Sequence, residues 1–269
     1  MTPTAPPQSG EPTPVDPASG RDSGVKSVAA ALDLLDCFMA SDELGVTDIA
    51  LKLGVAKSTA HRLLTTLAAR GMAEKNPETG RYRLGMHVYE LGTLAANRNR
   101  LRKLALPVME ELRQLTGHTI HLSVPDGADA IHLERLQSAR DGRVMASLQR
   151  RFPVHSTSGG KAIAAFNAEV ADARRRADFP VLTSNTVNTE SDFDRTLAEV
   201  RRLGYAVNRE EAMLGFTSVA APIFDTEGIA RAAISMTGPN SEIDPQFERI
   251  VRLVQTAARK IGKALPWPA

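Results

Sequence analysis

Apolar positions in the first part of the chain recur at helical spacing, then give way near residue 72 to two short extended runs. Over residues 26–40 Val28, Leu32, Leu35 and Phe38 share one helical face, which predicts a helix packed on the next elements of the chain. Ile49, Ala50 and Leu53 predict a second, short helix, with Thr47 as its N-cap and Gly54 as its left-handed stop. Val55 fills the turn. Ala60, Leu63, Leu64 and Leu67 recur at i, i+3, i+4 and i+7, so a third helix runs from near Ser58 to Gly71. Residues 72–75 and 81–84 then flank Asn76-Pro77-Glu78-Thr79-Gly80, a turn-rich hairpin loop. Helix, tight turn, helix and hairpin are the parts, in order, of a winged helix-turn-helix, a unit that sets one helix in the DNA major groove.

The polar face of the third helix carries Lys57, Ser58, His61, Arg62 and Thr65. Its first turn holds no acidic residue, although the helix dipole favours one there. The N-terminal amides and Lys57 are thereby left for a phosphate. We read Ser58, His61 and Arg62 as facing base edges, with Lys57, Arg81 and Arg83 on phosphates, and count Thr59 among the DNA-binding residues. Ser58 also fits as a helix N-cap, and the whole stretch also fits a small helical hairpin with a solvated face. Charge bears on that choice. The chain has 33 basic and 31 acidic side chains, a net +2, so it lacks the general polyanion affinity of a basic protein. Yet Lys57, Arg62, Arg70, Lys75, Arg81 and Arg83 are opposed locally only by Glu74 and Glu78. The basic character is a patch.

Residues 85–97 and 98–116 continue as connector helices, with Pro107 expected to kink or break the run. From residue 117 the period changes. Strands are predicted at 118–124, 130–136, 143–148, 205–208, 217–224 and 229–236. Helices are predicted at 158–166, at 191–203 with Ser191 as N-cap, and at 244–265. An antiparallel sheet with helices on its faces makes the chain α+β. Residues 1–23 are Pro-rich and poor in large apolar side chains, so we expect a disordered tail. The organisation is then a tail (1–23), a winged helix-turn-helix (24–84), a helical connector (85–116) and a sensor domain (117–265).

Several chemistries drop out. Cys37 is the one cysteine and lies in an apolar helical pattern, so it reads as a buried thiol. His118, His121 and His132 lack a supporting Cys or acidic cluster, and read as strand-surface or pocket-wall histidines rather than metal ligands. Glu134 and Arg135 read as an exposed ion pair of little worth. Gly160-Lys161 does not complete a phosphate loop, because His155 and Ala162 occupy the positions of its first Gly and its Ser/Thr. No Gly-x-Ser-x-Gly elbow occurs. We expect no catalytic residues, cofactor or metal, and no enzyme. No apolar run is long enough for a membrane span, and the N-terminus has no secretory h-region. The expectation is a cytoplasmic protein without membrane contact.

Taken together, the segments VKSVAAALDLLDCF, GVAKSTAHRLLTTLAARG and RYRLG, and then PVHSTSGGKAIAAF, EVRRLGYAVNREE, SVAAPIFDTEG and AAISMTGP, resemble the isocitrate lyase regulator (IclR) family of bacterial transcription factors. The resemblance spans nearly all of the chain beyond the tail. It implies a winged helix-turn-helix joined by a helix to a GAF-like effector domain, and assembly as a homodimer or homotetramer. It also implies repression or activation of a catabolic operon through double-stranded operator DNA, under a small carboxylate or aromatic acid. The acid would lie on backbone amides at Ser158 and Gly159, with Asn208, Ser218, Ser235 and Thr237 as polar walls. Ser235 and Thr237 are two apart on a strand and share a face. The family pattern often has Asp where this chain has Asn208 and Cys where it has Ser218. Asn both donates and accepts, which suits a carboxylate ligand. Without the resemblance, the glycines at 159–160 also fit a plain helix start, and Asn208 a loop cap.

Overall fold

The computed structural model describes residues 25–138 and 150–265. The tail read as disordered and the strand expected at 143–148 lie outside the described residues. The chain forms two compact units that divide in sequence between Ala95 and Ala96.

In the first unit α1 (Lys26–Asp36), α2 (Val46–Leu53) and α3 (Lys57–Ala69) pack around Leu34, Phe38, Ile49, Ala60 and Leu64. The hairpin is β1 (Ala73–Lys75) paired with β2 (Tyr82–Leu84), and a bridge from Leu44 to Tyr82 extends it. Two local expectations are corrected. Thr47 lies inside α2; the helix begins after Gly45, whose N–H donates to Asp48 Oδ2 at 3.0 Å, so an acid in the first turn does the capping. In α1 Leu34 turns inward, as does Phe38 in the 3-10 turn that follows, while Val28 and Leu32 are 56% and 58% exposed. The α1 segment is apolar on more than one face, so its period alone leaves open which stripe is buried. Cys37 is half-buried, its thiol donating to the Asp33 carbonyl. Gly54 takes the left-handed conformation expected of it, at φ 64°.

From there α4 (Met86–Arg98) leads in sequence to α5 (Arg100–Thr116). The helix runs through Pro107; the break falls at Asn99, whose side chain accepts from Arg102 N at 2.9 Å. In the second unit six antiparallel strands are ordered β5-β4-β3-β8-β7-β6. They are β3 (Thr119–Asp126), β4 (Asp129–Leu136), β5 (Arg151–Pro153), β6 (Ala206–Arg209), β7 (Phe216–Phe224) and β8 (Ala230–Pro239). Alternation divides the sheet. On one face Ile120, Leu122, Val219, Ile234 and Met236 pack with Val108, Met109 and Leu112 of α5 and with Ile250, Val254 and Ile261 of the last helix, α9 (Phe247–Ala264). On the other lie α6 (Ser158–Ala165), α7 (Ala168–Arg175) and α8 (Glu190–Leu203), with a core of Ile163, Val170, Phe193 and Leu197. Thr189 caps α8 in place of Ser191, accepting from Asp192 N. The observed class is α+β: a helix-turn-helix unit, then an antiparallel sheet with helices on both faces.

Candidate DNA-binding surface and effector cavity

The outer face of α3 is bare. Lys57, Ser58, Thr59, His61 and Arg62 are all exposed. Ala56 is the N-cap residue and makes no side-chain cap bond, so Ser58 sits within the first turn and is not the cap. Thr65 and Thr66 instead return their hydroxyls to the carbonyls of His61 and Arg62. The wing arginines are held differently. Arg81 donates to Asp48 at 2.7 Å and to the Glu43 carbonyl, and Arg83 pairs with Glu74 at 3.1 Å. Glu43 also accepts from Asn76 and Thr79 at the wing tip. Exposed pairs of this kind contribute little to stability. They orient the wing.

In the second unit the register gathers polar side chains. Asn208 is opposite Ser218, Ser218 opposite Thr237, and Thr237 opposite Thr119; Ser235 faces His121. All are on the face away from α5, so they form polar rows across the sheet. Above them is the N-terminus of α6. Thr157 caps it, accepting from Gly160 N at 3.0 Å, and among the described residues no hydrogen bond takes up the amides of Ser158 and Gly159. The glycines permit close approach. A Cβ at Gly159 would lie 2.8 Å from Ser123 Oγ, and one at Gly160 2.4 Å from the Val154 carbonyl. Ser158 Oγ meets Ser218 Oγ at 2.8 Å. Ser158, Gly159, Asn208, Ser218, Ser235 and Thr237, drawn from four separate segments, line one cavity.

Asn208 is largely committed within the protein. Its amide donates to the Ser156 carbonyl at 2.5 Å, and its Oδ1 accepts from Glu211 N at 3.0 Å. The loop after β6 brings Met213 to the cavity, which Phe216 at the start of β7 also lines. Glu211 is buried and pairs with the fully buried Lys161 at 2.5 Å. Burial pulls the Lys161 ammonium below its ordinary pKa, and Glu211 opposes the shift.

His121, His132 and Arg135 also line the cavity. Arg135 corrects the sequence reading: Glu134 pairs with Arg102 at 2.6 Å, both largely shielded, while Arg135 turns to the cavity. The cause is a bulge. Strand β4 gains one residue against Leu122/Ser123, so His121 opposes Arg135 while Ser123 opposes His132. Residues 132 and 135 differ by an odd number and in a regular strand would face opposite ways; the bulge puts both on the cavity side. In the sequence His121 and His132 read as strand-surface or pocket-wall histidines, and the structure takes the second alternative. His118 instead lies 3.8 Å from Glu242.

A winged helix-turn-helix followed, in one polypeptide, by a sensor sheet around a polar cavity defines a transcriptional regulator with its own effector domain. Residues 27–77 match the IclR helix-turn-helix domain, and residues 93–263 match the bacterial transcriptional regulator IclR C-terminal domain. The chain belongs to the IclR family. It is 33% identical over 249 residues to the HTH-type transcriptional regulator XynR of Escherichia coli, covering 91% of this chain and 99% of that one. An IclR regulator from Alicyclobacillus acidocaldarius superposes with a TM-score of 0.79 at 29% identity, covering 89% and 98%. An IclR homologue from Microbacterium hydrocarbonoxydans, solved with 4-hydroxybenzoate, gives 0.75 at 28%, covering 88% and 98%. Among the described residues no helix is long and apolar enough to cross a membrane.

Proposed function

We propose that the protein senses a small carboxylate or aromatic acid and, in response, changes its hold on the operator of a catabolic operon, without enzymatic turnover. One observation carries this reading: Ser158, Gly159, Asn208, Ser218, Ser235 and Thr237 converge from distant segments on a single cavity, beneath unengaged amides at the start of α6. Amides at a helix start are an anion site. The relative solved with 4-hydroxybenzoate holds such an acid.

The DNA reading rests on α3. Ser58, His61 and Arg62 would meet base edges, with Thr59 beside them, while Lys57, Arg81 and Arg83 hold phosphates. A homodimer, alone or paired into a tetramer, would set two such helices on half-sites about one helical turn apart. Exposed Met86, Tyr89, Leu91 and Leu94 on α4 supply apolar surface for that assembly. Effector control requires that the acid bind the DNA-competent and DNA-incompetent states with different affinity.

The test uses a DNA fragment selected by the protein from a random-sequence pool. Fluorescence anisotropy follows binding while acids already shown by calorimetry to bind are added. The expected result is a severalfold shift in the DNA midpoint. An unchanged midpoint with every bound acid would sink the proposal.

A further inference from the structure

His121 and His132 stack, with ring centroids 4.3 Å apart and an interplanar angle of 28°. Each has a hydroxyl at Nδ1. Ser123 Oγ is 3.0 Å from His132, and Thr237 Oγ1 is 3.5 Å from His121. Among the described residues neither Nε2 has a hydrogen-bond partner, and neither is sealed from solvent; both rings line the cavity. Two polar atoms are thus presented to whatever occupies it. We infer that the stacked pair His121–His132 is the specificity-determining wall of this cavity, and that the acid it admits carries a hydroxyl. The inference rests on the reading of the cavity as the effector site.

Protonation sets the chemistry. Burial, reinforced by Arg135 and Arg150, holds His121 well below the usual imidazole range and His132 at about 3. Both rings are therefore neutral at pH 7. A neutral imidazole offers one donor or one acceptor at Nε2, according to its tautomer, and a hydroxyl answers either. An acid without that oxygen takes the place of water at both Nε2 atoms and gives them no partner in return. This is the circumstance in which a site discriminates against the analogue lacking the group.

The experiment uses the full chain and calorimetry with matched pairs: acetate and glycolate, propionate and lactate, benzoate and 4-hydroxybenzoate. At least one pair binds, and within it the hydroxy acid binds about tenfold tighter. His121→Phe and His132→Phe keep the stacked volume and remove Nε2. The preference collapses towards parity in both, while affinity for the plain acid changes little. A purely structural role would weaken both acids alike. His132→Gln, which retains a donor and an acceptor, recovers part of the preference and covers the case of a Phe variant that does not fold. Equal binding of both acids by the unaltered protein overturns the inference and leaves the effector reading standing. A preference intact in both Phe variants also overturns it. Failure of every acid to bind overturns the effector reading, and this inference with it.

Discussion

The two units bury different things. In the first, every buried side chain among the described residues is apolar or the ring of Tyr82. In the second, the buried set includes His121, Ser123, His132, His155, Ser158, Lys161, Asn208, Glu211 and Ser235. A unit that reads DNA keeps its chemistry outside, on α3 and the wing, so its core need only hold shape. A unit that encloses a small ligand must bring polar groups inside, and each needs a partner there. The first is robust to changes in polar side chains, and the second is vulnerable to them.

The largest expected effect is at Lys161. Removing its ammonium by Lys161→Ala leaves Glu211 buried with no counter-charge, which destabilises by about 3–5 kcal/mol. Hydrogen exchange read by mass spectrometry would show the loss in β7, β8 and α6 and leave α3 protected. Equal loss in α3 would break the contrast between the units. Lys161→Met with Glu211→Met should regain much of the stability, since an apolar pair replaces an expensive ionic one. Ligand affinity would still suffer, because Glu211 anchors the loop that carries Met213 to the cavity.

Acidification comes next. His132 is held at about 3, His155 at about 4, and His121 well below its ordinary value, mainly by burial. A folded-state pKa below the unfolded value of about 6.5 means that the unfolded chain binds the proton first. Stability therefore falls as pH drops below about 6.5, and goes on falling until the folded pKa is reached. Between pH 7 and pH 5 each of these histidines removes roughly 1–2 kcal/mol. The lowered carboxylates of the first unit, Glu43 and Asp48, work in the other window: they lose their contribution only as pH falls through their own depressed pKa values. Thermal unfolding at pH 7 and pH 5 should destabilise the second unit selectively, and an equal shift in both units would refute the assignment.

The same contrast explains what was legible in the sequence. Helical period, glycine stops and the hairpin loop are local signals, and they carried the first unit to within a residue or two at most boundaries. The misses there, Thr47 as a cap and Val28 with Leu32 as the buried stripe, concern which neighbour a side chain finds. In the second unit five of the six described strands were legible, the short β5 (Arg151–Pro153) being missed, while the cavity wall depended on register. Ser235 and Thr237 share a face by simple alternation. His132 and Arg135 share one only because β4 bulges opposite Leu122/Ser123 of β3, and no local pattern announces that extra residue. The role of Glu211 was equally hidden, since its partner Lys161 lies fifty residues away.

On the DNA side the effects are smaller, and they separate base reading from phosphate gripping. Arg62 is exposed on α3. If its guanidinium meets a guanine edge, Arg62→Ala weakens the preferred site by about 1–3 kcal/mol and relaxes sequence preference at one position. Competition between the selected fragment and random DNA would read this. A uniform loss on both would reassign Arg62 to the backbone.

Arg83 should give the smallest change and the sharpest test of the wing. Its guanidinium is held by Glu74 at 3.1 Å, with both side chains about half exposed, so gripping a phosphate means exchanging a weak pair for a charge-assisted contact. Arg83→Ala should weaken selected and random DNA alike, and lower the slope of log affinity against log salt by about 1. Glu74→Ala, which frees the same guanidinium, should strengthen both kinds of DNA slightly and leave the preference between them unchanged. A salt slope that is unaltered in Arg83→Ala would mean that the side chain stays with Glu74 in the complex. Phosphate gripping by the wing would then fall to Arg81, at the expense of its tie to Asp48.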